Sequence, residues 1–262
     1  MQIDEYRKLA EIEDRMWYFR ALHRRLEYWL RRKVPDGTAH VVDAGCGTGG
    51  FIRHLETAGT PWEITGLDIS PVACELARQR TTAKIREGSL TTMPFWDDSY
   101  DGIVTGDVLY HIEDVPRVLG EFARCLKPGG IVVINEPAYR WLWSYHDTAV
   151  ESKHRFTRAE LRQRLQVAGF EVEFASYVNF FVLPLVVARR KIFPPRKPTS
   201  DVRLPAAPVQ ALLSFFAWVE FTLMKLGLPL PAGSSVFVVA RKIAVPDGGA
   251  AGRNSPPEGA AR

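Results

Sequence analysis

Three glycines and two carboxylates have the spacing in this chain that points most directly to chemistry. In Val41-Val-Asp-Ala-Gly-Cys-Gly-Thr-Gly-Gly50, the residues Gly45, Gly47 and Gly50 stand at G-x-G-x-x-G spacing, with Asp43 ahead of them. Glycine has no Cβ, so it takes positive φ and lets a ligand lie against the backbone. The run Phe51 to Ala58 reads as a helix, and the free amides at a helix N-terminus face such a ligand. About 20 residues on, Glu63-Ile-Thr-Gly-Leu-Asp68 ends in a carboxylate placed to accept two ribose hydroxyls. A nucleotide-like ligand is expected at this turn. The glycine spacing alone serves a dinucleotide equally well.

These residues need strands and helices to hold them. Val41 and Val42 end a buried strand, and Glu63 to Asp68 forms the next. Ser70 caps and Pro71 opens a helix to Arg80, because a hydroxyl can accept a free amide and proline lacks one to satisfy. Lys84 to Glu87 reads as a third strand, and Tyr100 to Thr105 as a fourth. After a helix over Pro116 to Cys125, the all-apolar Ile131 to Ile134 predicts a strand covered on both faces. Residues 135 to 155 form a long excursion rich in aromatic and titratable groups, among them Glu136, Trp141, Trp143, His146, Asp147, His154 and Arg155. Long loops in compact domains usually serve function. Thr157-Arg-Ala-Glu160 reads as a capping box for a helix ending at Gly169, followed by strands at Phe170 to Ala175 and Ser235 to Arg241. Ahead of all this, residues 4 to 33 read as one or two amphipathic helices, with Trp17, Leu22, Leu26, Trp29 and Leu30 on the apolar side.

The order Asp43 before the glycines, Asp68-Ile-Ser-Pro71, Met93-Pro-Phe95, Ser99-Tyr-Asp101 and Leu126-Lys-Pro-Gly-Gly130 resembles the class I S-adenosylmethionine-dependent methyltransferases. Agreement across local pattern, turn chemistry and element order is the warrant. The resemblance implies an α/β fold: a Rossmann-like, seven-stranded, mostly parallel sheet whose last strand is antiparallel. It also implies an N-terminal helical cover and a helical insertion between strands six and seven. The implied division is 1–34 cover, 35–176 cofactor-binding domain, 177–234 apolar and basic lid, 235–245 final strand and 246–262 disordered tail.

The resemblance implies S-adenosyl-L-methionine as cofactor, held by Asp43, Gly45, Cys46, Gly47, Gly49, Asp68, Ile69, Ser89, Leu90 and Gly106. Ser89 departs from the family's usual aspartate, so the adenine amino group falls either to its hydroxyl or to the backbone at Leu90. The run Met16-Trp-Tyr-Phe-Arg20 matches a cofactor-covering segment of related enzymes, which implies that Arg20 pairs with the methionine carboxylate. Methyl transfer is an in-line displacement, and an acceptor that loses a proton needs a base. His146 and His111 are the expected bases, since imidazole titrates near neutral pH. Asp147 is expected to orient a histidine, with His154 as substitute, while Asp107 and His111 line the transfer end at the sheet's carboxyl edge.

At 262 residues and 46% hydrophobic content, the chain suits one globular domain with an appended lobe. The net charge of +4 is concentrated in two segments, Arg15 to Lys33 and Arg189 to Arg203. Most such charges are solvated helix faces. Cys46, Cys74 and Cys125 lack ligand spacing, which predicts a reducing cytoplasm with no disulfide framework, zinc site or other metal. Charges at Gln2-Ile-Asp-Glu-Tyr6 predict no signal peptide, and the apolar runs Phe180 to Ala188 and Ala211 to Val219 fall short of a membrane span.

Two readings of residues 177 to 234 stand: a helical lid with ordinary core contacts, or one that admits a lipophilic acceptor and rests on an anionic membrane at its inner face. The expected partner is therefore a small-molecule or lipid-linked acceptor, with peripheral membrane contact and no nucleic acid. The competing functions are an NAD-dependent oxidoreductase, which shares the glycine spacing, and a non-catalytic S-adenosylmethionine-binding protein. Acceptor atom and oligomeric state leave no mark on the sequence.

Overall fold

The computed structural model describes residues 3–34, 37–194 and 204–244. The expected tail at 246–262, the turn at Pro35 and Asp36, and the basic residues Arg196, Lys197 and Arg203 lie outside the described residues.

Seven strands form one sheet in the order β3-β2-β1-β4-β5-β7-β6. They are β1 His40–Ala44, β2 Glu63–Asp68, β3 Lys84–Glu87, β4 Tyr100–Gly106, β5 Leu126–Pro137, β6 Phe170–Val178 and β7 Ser235–Lys242. β1 pairs in parallel with β2 and β4, whereas β7 runs antiparallel to both β5 and β6. This is the expected Rossmann-like arrangement. The chain order reverses at β1, which lies between β2 and β4. A crevice therefore opens beyond the carboxyl ends of β1 and β4, where ligands of such sheets bind.

Burial explains the strand compositions. Val41, Val42, Ile131 to Ile134 and Val236 to Ala240 are fully buried, because helices cover both faces. On one face α5 (Val115–Cys125) and α7 (Arg158–Val167) supply Phe122, Leu161 and Leu165. On the other, α2 (Trp17–Lys33) and α3 (Gly50–Thr57) supply Leu26, Leu30, Phe51 and Ile52. The N-terminal cover comprises α1 (Ile3–Ile12) and α2. α4 (Pro71–Arg80) starts as expected, with Ser70 Oγ accepting from the Ala73 amide.

Residues 135 to 155 are partly helical, with a 3₁₀ turn at Arg140–Leu142 and the short α6 (Tyr145–Ala149). Ser144 and Asp147 complete a reciprocal capping box on α6, which the sequence reading missed. At α7 only the Thr157 half of the predicted box forms, its hydroxyl accepting from the Glu160 amide.

Between β6 and β7 lie α8 (Leu183–Val187), a π-helical turn at Ala188–Ile192 and α9 (Ala207–Lys225). The expectation that no stretch reaches spanning length is corrected for α9. Its 19 residues are apolar enough by length and composition to cross a membrane, with mean hydropathy 1.4 and only 22% of the window buried. The apolar run continues past Val219 because Glu220 is a single interruption, followed by Phe221, Leu223 and Met224, and its side chain turns inward. There its carboxylate accepts from the Asn179 and Phe181 amides at 2.6 and 3.1 Å.

Candidate functional site

The β1–α3 turn builds the first half of the site. The Gly45 and Cys46 amides both donate to the Leu67 carbonyl, at 2.7 and 3.0 Å, which ties the end of β1 to that of β2. Gly45 sits at φ +84°, and a Cβ there would run into the Val108 side chain. The Gly47 amide donates to Asp68 Oδ2 and the Ser70 amide to Oδ1, each at 2.9 Å. Two backbone amides thus fix the rotamer of Asp68 before any ligand arrives.

Gly50 has a different reason to be glycine. A Cβ there would strike the carboxyl group of Glu13, which follows α1. The Thr48 hydroxyl donates to Glu13 at 2.5 Å, and Arg80 pairs with both Glu13 and Asp14. So the third glycine admits a covering side chain. Sequence reasoning missed Glu13 and the cleft-lining Tyr6, because no local signal links them to a turn some 35 residues away.

Asp43 is buried at 5% exposure, and its burial, with Asp68 and Glu13 nearby, pushes its carboxyl up to about 8. A ligand bearing positive charge would favour the ionised form of this cluster. That matches a sulfonium with an amino group better than a neutral sugar.

Asp43, Gly45, Cys46, Gly47, Asp68, Ile69, Ser89, Leu90, Gly106, His111, His146 and Asp147 all line one cleft of about 1320 Å³. Gly49 does not: at φ +80° it caps α3, and its α-carbon faces Ala77 of α4. Arg20 is a correction. Besides Trp17 at its start, the residues of α2 that face the cleft are Tyr18, Phe19, Leu22, His23 and Leu26, a helical stripe. Arg20 falls off that stripe and is exposed in a separate shallow depression with Arg24 and Ala217. The Ser89 hydroxyl pairs with that of Thr91 at 2.8 Å and accepts the Thr91 amide at 3.2 Å.

At the transfer end, Asp107 has φ +58°, an unusual conformation for a residue with a Cβ. The Tyr18 hydroxyl donates to Asp107 Oδ2 at 2.6 Å, and Asn135 Nδ2 donates to Oδ1 at 3.0 Å. Glu136, fully buried, accepts the amides of Val108, Leu109 and Tyr110, so it clamps the 3₁₀ turn Leu109–His111 from inside. His111 stacks close to Tyr110, and burial lowers it to about 4, leaving it neutral at ordinary pH.

Asp147 does not serve a histidine as expected. Arg155 Nε and Nη2 donate to its two oxygens at 2.6 and 3.1 Å, and the Ser144 amide adds a third bond at 2.9 Å. His154 does not line the cleft: among the described residues its buried Nε2 has no hydrogen-bond partner, and its ring packs near Phe156. Among the described residues, no group of three or more His, Cys, Asp or Glu side chains is placed to hold a metal ion.

The far wall of the cleft is apolar. Val150, Val182, Leu185, Val186, Val209 and Leu213 line it, and Lys153, Arg155, Arg189 and Arg190 line the cleft as well. One end thus suits a nucleoside and the other a greasy molecule with polar groups.

Residues 42–134 match a family described as Methyltransferase domain. The chain is 32% identical over 157 residues to a probable S-adenosylmethionine-dependent methyltransferase of Mycolicibacterium smegmatis, covering 56% of this chain and 60% of that one. It is 32% identical over 141 residues to a demethylmenaquinone methyltransferase of Lactiplantibacillus plantarum, covering 47% and 60%. The chain therefore spans about 60% of the length of these curated relatives. Among solved structures, it resembles an S-adenosylmethionine-dependent methyltransferase from Mesorhizobium loti, with a TM-score of 0.54 and 22% identity over 82% of this chain and 96% of that one. It also resembles a geranyl diphosphate C-methyltransferase from Streptomyces coelicolor, with a TM-score of 0.58 and 15% identity over 82% and 78%. Both likenesses are of fold.

Proposed function

We infer that this chain, whose α/β core is a class I S-adenosylmethionine-dependent methyltransferase domain, transfers a methyl group from S-adenosylmethionine to a small lipophilic acceptor. The observation that carries the reading is a single cleft with a glycine and Asp68 cradle at one end and an apolar wall at the other. The cofactor supplies an activated methyl group, and the protein's part is to position, to exclude water and to accept a proton.

The residues fit that cofactor in detail. Asp68 receives the ribose hydroxyls, and the glycine-rich turn Gly45 to Gly47 lets the methionine end lie against the backbone. Asp43 and Glu13 favour its positive charge, while Ile69, Ser89 and Leu90 flank the adenine. His146 and His111 line the cleft wall, where they can orient an acceptor. The amphiphilic acceptor is supported by the apolar wall and by the name of the demethylmenaquinone methyltransferase relative.

The same reading places the chain at the inner face of a membrane, as a cytoplasmic protein with peripheral contact. Phe215 and Trp218 of α9 are 55% and 52% exposed, and Phe193 is 72% exposed beside the basic turn Arg189 to Lys191. Exposed aromatic residues next to cations favour an anionic bilayer. Leu185 and Val209 are exposed as well as cleft-lining, so the apolar surface runs into the mouth.

The test is incubation with tritium-labelled S-adenosylmethionine and a bacterial lipid extract. Label appearing in an extractable lipophilic product supports the reading. Tight cofactor binding by calorimetry with no transfer to lipid or aqueous metabolites would leave a binding protein instead.

A further inference from the structure

We propose that Asp107, held by Tyr18, is the proton acceptor of the reaction, so that the acceptor atom is one that carries a proton, a hydroxyl or an N–H. This rests on the methyltransferase reading above and narrows its substrate class.

The geometry sets Asp107 apart from Asp68, Asp147 and Glu136. Asp68 is committed to two amides, and Asp147 to Arg155 and a cap. Glu136 is committed to three amides below the surface. Asp107 lines the cleft just past the carboxyl end of β4, and among the described residues its carboxylate takes two hydrogen bonds, both from side chains. Each carboxylate oxygen keeps a second lone pair that can accept from a ligand in the cleft. The left-handed backbone at Asp107 is a local cost that the surroundings hold in place, with its amide bonded to the Asn135 carbonyl at 2.8 Å. Such strain clusters at functional positions.

Tyr18 comes from the cover helix, 89 residues away in sequence, and reaches the same carboxylate. It therefore ties the α2 cover to the chemistry, and its placement fixes which Asp107 oxygen faces the acceptor. Arg25, two turns further along the same face of α2, is buried, with all three guanidinium nitrogens lacking hydrogen-bond partners among the described residues. Its charge is left to act through space on Asp107, Tyr18 and Glu220. The other charged or titratable groups acting on Asp107 are Arg155 from beyond α6, Glu136 from β5 and Tyr110 from the 3₁₀ turn. Desolvation raises the Asp107 carboxyl to about 6, with Tyr18, Asn135, Arg25 and Arg155 opposing the rise. It is mostly ionised at neutral pH and still basic enough to take a proton.

In the step, the acceptor atom X forms a bond to the methyl carbon while the carbon–sulfur bond breaks and its electron pair goes to sulfur, giving a neutral thioether. The X–H bond gives its proton to Asp107 and leaves its electrons on X. The positive sulfonium and the negative carboxylate are consumed together, so charge balances. Solvent later removes the proton from Asp107. An acceptor without a removable proton, such as a tertiary amine or thioether, would leave Asp107 idle.

The test uses tritium-labelled S-adenosylmethionine with two probes in detergent: a prenylated hydroquinone and a long-chain tertiary amine. For Asp107→Asn, the hydroquinone rate should fall about 100-fold, with cofactor affinity by calorimetry unchanged and any amine methylation preserved. Asp107→Glu should recover part of the rate, and Tyr18→Phe should lower kcat more than it alters KM. A hydroquinone rate within about twofold of wild type in Asp107→Asn overturns the proposal. If the wild-type protein methylates neither probe, the lipophilic-acceptor reading fails, and a separate measurement decides on Asp107. In carbon-13 aspartate spectra of protein saturated with S-adenosylhomocysteine, one carboxyl signal should titrate between about pH 5 and pH 7. That signal should vanish in Asp107→Asn and move in Tyr18→Phe. An Asp107 signal that stays fixed across this range overturns the assignment.

Discussion

Asp68 and Asp43 stand close together, yet their hydrogen bonding gives them different tasks. Asp68 is preorganised by the Gly47 and Ser70 amides, so Asp68→Ala removes both the ribose contact and a brace of the turn. Cofactor affinity should fall by about 100-fold or more, equivalent to losing two charge-assisted hydrogen bonds. Calorimetry would check this, and an unchanged Kd would contradict the cradle. Asp43 behaves differently because its carboxyl rises from 3.8 to about 8 on folding. Between those values the folded protein binds the extra proton, so stability of the cofactor-free protein declines as pH climbs from about 4 to about 8. Asp43→Asn should flatten that decline and raise Tm at pH values above about 8, while weakening cofactor binding. Melting curves across pH, with and without S-adenosylmethionine, separate the two effects.

At the scale of elements, the α6 region shows what a dense run of polar residues is for. Arg155 and Asp147 are 2% and 1% exposed as side chains and form a bidentate pair inside the protein. Arg155 also donates to the Ala138 carbonyl at 2.8 Å, which pins the excursion after β5 to the rim of the cleft. Replacing it by Met leaves a buried carboxylate with the more distant Arg190, at 3.9 Å, as countercharge, and a loss of about 3 kcal/mol in chemical denaturation is expected. Burial opposes ionisation of Asp147, but Arg155 outweighs it and holds the carboxyl below its ordinary value. The pair's contribution is therefore present above the ordinary carboxylate range and lost as pH falls below it. Arg155→Met should accordingly show less acid sensitivity than the parent. A variant as stable as wild type would sink this account.

For the molecule as a whole, the cleft exists because three layers meet: the α1–α2 cover, the carboxyl edge of the sheet and the α8–α9 cap. Cover and cap are joined directly, with Trp29 Nε1 donating to Met224 Sδ at 3.2 Å and Trp17 packed in a cluster with Val182, Leu213 and Ala217. The outward face of α9 has no such partner among the described residues. Converting Phe215 and Trp218 together to Ser should reduce cosedimentation with vesicles containing about 30% anionic lipid by at least about tenfold. Tm and cofactor affinity should hold, since both side chains are more than half exposed. Equal vesicle binding by the variant would remove α9 from the membrane contact.

The glycine turn, the seven-stranded sheet and its antiparallel last strand were legible because each depends on local chemistry or on a resemblance held in short, ordered motifs. Backbone conformation, capping and two-sided burial write themselves into neighbouring residues. The partners of polar side chains do not. Asp147 sits beside His146 in the chain yet turns to Arg155, and Arg20 misses the cleft by its angle on α2. Glu13 reaches Thr48 across 35 positions, and Tyr18 reaches Asp107 across 89. Sequence fixes which elements form and which faces are apolar. Only packing those faces decides which distant side chains share a proton, a charge or a wall of the cleft.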